Sequence, residues 1–86
     1  MIEIERFIGK TGVIDKTEGK VLISKSNKMK LWFVILSSKT GGYYCVPPSV
    51  KIEDKWESAY KFLDANVMRK ISHEIIDMLK QRGDLT

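Results

Sequence analysis

One cysteine, Cys45, in 86 residues rules out an internal disulfide and gives no basis for a cysteine-built metal site, which fits a reducing compartment. Histidine is as scarce, with His73 the only one. Long apolar runs are missing too. The longest, Leu31 to Leu36, has six residues, against the roughly 20 needed for a helix to cross a bilayer. The opening Met1-Ile2-Glu3-Ile4-Glu5-Arg6 has neither the basic start nor the apolar stretch of a secretory signal, so a cytoplasmic protein is expected. Gly9-Lys10-Thr11 looks like the end of a phosphate-binding loop, but the position that needs the earlier glycine is Ile4, and Val13-Ile14 reads as strand rather than helix. A hairpin turn accounts for it better.

What the chain does have is positive charge, unevenly spread. Residues 1 to 53 hold nine Lys/Arg against five Asp/Glu, whereas residues 54 to 86 hold six of each. Between Lys16 and Lys51 seven lysines face a single acid, Glu18. Only Arg6, Arg69 and Arg82 are arginines. Lysine is a hydrated point charge suited to phosphate attraction, while arginine is the usual reader of base edges. A polyanion held without sequence readout is therefore the partner that composition favours. The competing account is that lysines solubilise a small sheet and guard its edges.

Hydrophobic periodicity supplies the fold class. Ile2, Ile4 and Ile8 alternate with charge as a first strand, and Val13 to Asp15 reads as a second. Lys20 to Lys25 and Lys30 to Ser37 read as strands divided by Ser26-Asn27-Lys28, and Gly41-Gly42 turns the chain into Tyr43 to Val46. Pro47-Pro48 ends the sheet because proline cannot donate to a ladder. With even-length loops, Val21, Ile23, Trp32, Val34, Leu36, Cys45 and Tyr43 share one face with Ile14. Val13, Leu22, Leu31, Phe33, Ile35, Tyr44 and Val46 share the other. Both faces are apolar, so either the sheet curls into a barrel or a second subunit covers it.

Beyond the prolines, Asp54-Lys55-Trp56-Glu57 fits a capped helix start. Trp56, Tyr60, Leu63, Val67, Ile71, Ile75 and Met78 then recur at helical spacing, and Gly83 suits the residue just past the helix. A single helix over Lys55–Arg82 would be roughly 42 Å long, too long for a compact domain of this size, so a break near Asp64-Ala65-Asn66 with Asn66 as cap is favoured. The expectation is an α+β single domain, 1–86. A strongly bent, barrel-like antiparallel sheet of about five strands fills 1–48, and one or two C-terminal helices fill 54–82.

Candidate sites follow from this layout. Lysines interleaved with aromatics on strands are how single-stranded nucleic acid is held, with bases stacking and ammonium groups meeting phosphates. Lys20, Lys25, Lys28, Lys30 and Lys39 are the candidate phosphate contacts; Trp32, Tyr43 and Tyr44 are the candidate stacking platforms. The bland reading of those aromatics is core. Val67, Met68, Ile71, Ile75, Ile76, Met78 and Leu79 form a stripe wide enough for a subunit or partner interface, against simple packing on the sheet. His73 precedes Asp77 by one turn and reads as half of a surface ion pair; Cys45 reads as a small core residue. No enzyme, metal or cofactor is expected. The preferred function is a non-enzymatic nucleic-acid-associated module. The alternative is an adaptor docking on a larger protein by its helix or a sheet edge, and a homodimer is a further expectation.

Overall fold

A computed structural model describes residues 2–9, 19–26, 28–37 and 41–85. The expected strand at Val13–Asp15, its flanking turns and Lys39 lie outside the described residues. Four strands, β1 (Ile2–Ile8), β2 (Gly19–Lys25), β3 (Met29–Ser37) and β4 (Tyr43–Val46), form one antiparallel sheet in sequence order. Two more, β5 (Ser49–Ile52) and β6 (Lys55–Ser58), form a separate hairpin. One helix, α1 (Ala65–Gln81), follows. The class is α+β. Among the described residues β1 and β4 are free edges rather than neighbours, so the expected barrel closure is not found.

Odd loops decide which face each residue takes. Lys25 pairs with Met29 and Ser37 with Tyr43, so the connections hold three and five residues. Ser26 takes φ 54° and the Lys28 amide donates to the Lys25 carbonyl at 3.0 Å, closing the tighter one. An odd loop reverses the parity that an even loop imposes. Val21 therefore lies opposite Phe33, and Ile35 opposite Cys45. The expected placement of β3 is thus inverted: Phe33 and Ile35 face the core, and Trp32, Val34 and Leu36 face outward. Two inversions cancel at β4, and Tyr43 and Cys45 stay with Val21 and Ile23.

A bulge does the same in β1. The register shifts between Ile4 and Arg6, so Phe7 pairs with Val21 and joins Ile2 and Ile4 inside. Ile8, grouped with Ile2 by simple alternation, pairs with Lys20 on the outer face instead.

The inner face meets α1. Val21, Ile23, Phe33, Ile35 and Cys45 are buried with Ile71, Ile75, Ile76, Leu79, Leu85 and Ile2. Tyr60 packs edge-on to Phe33 at 5.8 Å between ring centres, and Phe62 stacks on it at 6.3 Å. The helix begins at Asp64, whose carboxylate accepts from the Asn66 amide at 2.8 Å, so Asp64 is the cap and Asn66 is inside the first turn. It ends in a Schellman motif: Gly83, at φ 83°, donates to Lys80 and Asp84 donates to Leu79.

Residues 55–58, expected as helix, are strand. Across a two-residue turn, Glu53-Asp54, at φ 49° and 65°, Val50 and Ile52 share one face of the hairpin with Glu57 and Lys55, and Trp56, opposite Lys51, takes the other. Such turns normally carry Asn-Gly, and without glycine the turn has no sequence signal. The 4- and 3-residue steps from Trp56 to Tyr60 to Leu63 imitate a helix by coincidence. Leu63 is fully exposed.

Candidate nucleic-acid interface

With α1 packed on the inner face, the outer face of the sheet carries no helix or strand among the described residues. Its side chains stand in rows set by the register. Glu3, Ser24 and Lys30 form the first; Arg6, Leu22 and Trp32 the second; Ile8, Lys20, Val34 and Val46 the third; Leu36 and Tyr44 the fourth. Leu22, Trp32, Val34, Leu36 and Val46 are half-buried by one another, and Tyr44 is 43% exposed. Trp32 and Tyr44 sit on neighbouring strands four residues out of step, about 14 Å apart at strand spacings.

Charge on this face is segregated. Arg6 and Lys20 flank the Trp32 end, while Glu3 and Glu5 lie toward the β2–β3 turn, where Lys30 Nζ meets Glu5 Oε2 at 3.3 Å. That pair is exposed and holds little energy, so Lys30 is readily released to another anion. Lys28 stands exposed at the same turn. At the Trp32 end lies an open hollow of about 360 Å³ lined by Ile8, Lys20, Trp32, Phe33, Val34 and Pro48.

The fold thus brings together Lys20, Lys30, Trp32 and Tyr44, with Lys28 at the rim. It separates others. Tyr43 is on the inner face, packed against the core, and Lys25 pairs with Ile2 and Met29 at the inner face's end. Of the helical stripe, Ile71, Ile75, Ile76 and Leu79 are buried in the core of this same chain, Met68 and Met78 pack partly against it, and Val67 is 37% exposed. Arg6 and Ile8 were missed because the bulge that turns them outward leaves no mark in the alternation.

Why Trp32 is held firmly is a matter of backbone accounting. β4 pairs only with Val34 to Ser37, since Pro47-Pro48 carry the chain off the sheet. The Trp32 carbonyl has no β4 partner and instead accepts from the Tyr60 hydroxyl at 2.6 Å. On the far edge the Cys45 amide donates to Ser72 Oγ at 2.9 Å, so α1 shields β4 from pairing with another strand.

A groove between β4 and α1 gathers Cys45, Ser72, His73 and Asp77, the residue types of a nucleophile and its base. The chemistry does not follow. Burial pushes the Cys45 thiol from 9.0 up to about 12, against the hydrogen bond from Ser72 that pulls it down. A thiol at that value is not a thiolate at neutral pH. His73 is exposed at the rim of that groove. Among the described residues no three His, Cys, Asp or Glu side chains converge as a metal site, and no helix is long and apolar enough to cross a membrane.

Comparison with protein-family models, with curated proteins and with solved structures finds no match to this chain.

Proposed function

We propose that this protein is a non-enzymatic module that binds single-stranded nucleic acid on the outer face of its sheet. The observation that carries the reading is the row arrangement: Trp32 and Tyr44 on neighbouring strands, with Arg6, Lys20 and Lys30 around Trp32 and no element above among the described residues. Aromatic faces take unpaired bases whatever their identity, and lysines take the phosphates between them. Duplex readout draws no support, since among the described residues no helix or long ribbon stands free with arginines to enter a groove. Docking on a larger protein through α1 has less to draw on, because its central apolar residues are already buried.

The test is fluorescence anisotropy of a short labelled oligonucleotide at about 50 mM salt. Tyr44→Ala removes one stacking platform and is expected to weaken binding by about 5- to 150-fold, the equivalent of about 1–3 kcal/mol per stacked base. Lys20→Glu with Lys30→Glu is expected to weaken it more than Lys61→Gln with Lys70→Gln, which lie off the sheet. Absence of binding at about 100 µM protein would remove this reading.

A further inference from the structure

The β5–β6 hairpin stands out as an arm: none of its Cα atoms lies within 8 Å of another strand or helix among the described residues. Its two-residue turn makes Ile52–Lys55 a hydrogen-bonded pair, so Lys51 and Trp56 form the next, non-hydrogen-bonded pair, in which side chains stand closest. The Ala59 amide donating to the Pro48 carbonyl at the base falls on the same alternation. This pairing gives the arm two unlike faces. On one, Trp56 stands opposite Lys51, with the Ser49–Ser58 pair beside them. On the other are Val50, Ile52, Lys55 and Glu57. Trp56 is 71% exposed, and Lys51, Ser49 and Ser58 are exposed with it.

The neighbours of Trp56 decide what suits it as a ligand. An apolar protein surface would be drawn to Val50 and Ile52, which lie on the opposite face. The Trp56 face has no second apolar side chain; it has one ammonium group and two hydroxyls. An isolated aromatic plane in that setting fits a ligand that is itself flat and anionic. A base covers the indole, its phosphate meets Lys51, and the serine hydroxyls donate to phosphate or sugar oxygens. We propose that the Trp56–Lys51 face of the arm is a second stacking site for the same single strand that the outer sheet face binds, an extension that rests on the function proposed above. Pro48, where the arm begins, borders the hollow beside Trp32. Lys51 and its partner Trp56 lie about 10 Å farther along the strand. A nucleic-acid strand leaving Trp32 past Pro48 has only that far to go. Beyond Trp56, the Glu53 and Asp54 carboxylates at the turn repel phosphate, so the footprint ends there.

Each of the two sites holds one of the chain's two tryptophans, so intrinsic fluorescence reads them separately. Trp32→Phe leaves Trp56 as the only indole, and Trp56→Phe leaves Trp32. A saturating oligothymidine of about 12 nucleotides, within the roughly 4–16 that small single-strand sites cover, is expected to quench both, as stacking on each ring requires. In anisotropy titrations of the full chain, Trp56→Ser is expected to weaken that strand about 5- to 150-fold. Trp56→Phe, which keeps an aromatic plane, is expected to retain most of the affinity. Lys51→Gln is expected to flatten the slope of log K against log salt by about 0.7, the loss of one phosphate contact. Trp56 and Lys51 are exposed, and far-UV circular dichroism checks folding. Quenching of Trp32 alone, or affinity indifferent to Trp56→Ser, would overturn the arm site and leave the sheet-face reading standing. Quenching of neither tryptophan, with no binding by anisotropy, would overturn both.

Discussion

Cys45 sits where β4 meets α1, 3% exposed, its amide bonded to Ser72 and its thiol held protonated by burial. Because the folded thiol ionises near 12 and the unfolded one near 9.0, both states are protonated at pH 7 and the folded protein loses nothing there. As pH rises past 9.0 the unfolded chain gives up a proton that the folded chain keeps. Stability falls, by up to about 1.4 kcal/mol per pH unit, until the folded thiol also ionises. The Tyr60 hydroxyl, raised mainly by burial, adds a loss of the same sign at higher pH. Urea midpoints at pH 7 and about 10.5 should therefore drop further for wild type than for Cys45→Ala, each compared with its own value at pH 7. A second contrast separates two residues that helical periodicity treats alike. Ile75 is fully buried and Leu63 fully exposed. Ile75→Ala is expected to cost about 2–5 kcal/mol of unfolding free energy, and Leu63→Ala less than about 0.5 kcal/mol.

At the scale of elements, the hairpin and the helix behave oppositely. Helix α1 is capped at both ends and buries one side in the core, so its opening requires global unfolding. Among the described residues the backbone of the β5–β6 arm is held by its own ladder and by the Ala59 amide donating to the Pro48 carbonyl at its base, 2.7 Å, so it opens locally. Its turn is strained, with Glu53 and Asp54 both at positive φ where glycine and asparagine are at ease. Glu53→Asn with Asp54→Gly should raise amide hydrogen-exchange protection across the arm while leaving the thermal midpoint of the monomer within about a degree. A matching rise in the midpoint would mean the arm unfolds with the core. The same element carries two signals in its sequence: Val50 and Ile52 have strand alternation, but an Asp-x-x-Glu capping pattern at Asp54 and Glu57 follows directly.

For the whole molecule, the decisive fact is that one helix cannot cover two apolar faces. Helix α1 takes the inner face and leaves the outer one, with its aromatics and cations, without a covering helix or strand among the described residues. If single-stranded nucleic acid uses it through about three to five phosphate contacts, log K falls with log salt at a slope of roughly −2 to −4. Raising salt from about 50 to 200 mM should then weaken oligonucleotide binding about 15- to 250-fold, read by anisotropy titration. A flat salt response would assign the face to apolar contacts alone.

Several features were legible in the sequence because they are local. The strands around Val21, Phe33 and Tyr44, the stop at Pro47-Pro48 and the glycine end of the helix at Gly83 follow from side-chain shape and backbone freedom within a few residues. The excess of lysine over acid before residue 53 is likewise plain from the residues themselves. Three things were decided only by tertiary structure. The odd loops before Met29 and Tyr43 put Phe33 inside and Trp32 outside, and the bulge at Glu5 brought Arg6 and Ile8 to the outer face. Packing on Phe33 claimed Tyr60 and Phe62 for the core, while Trp56 went out on the arm. Each of these turns on a single residue of register or on a contact between distant segments. A period-2 pattern is the same on either face, so it cannot tell a strand from its mirror placement; only the partner strand and the helix above it can.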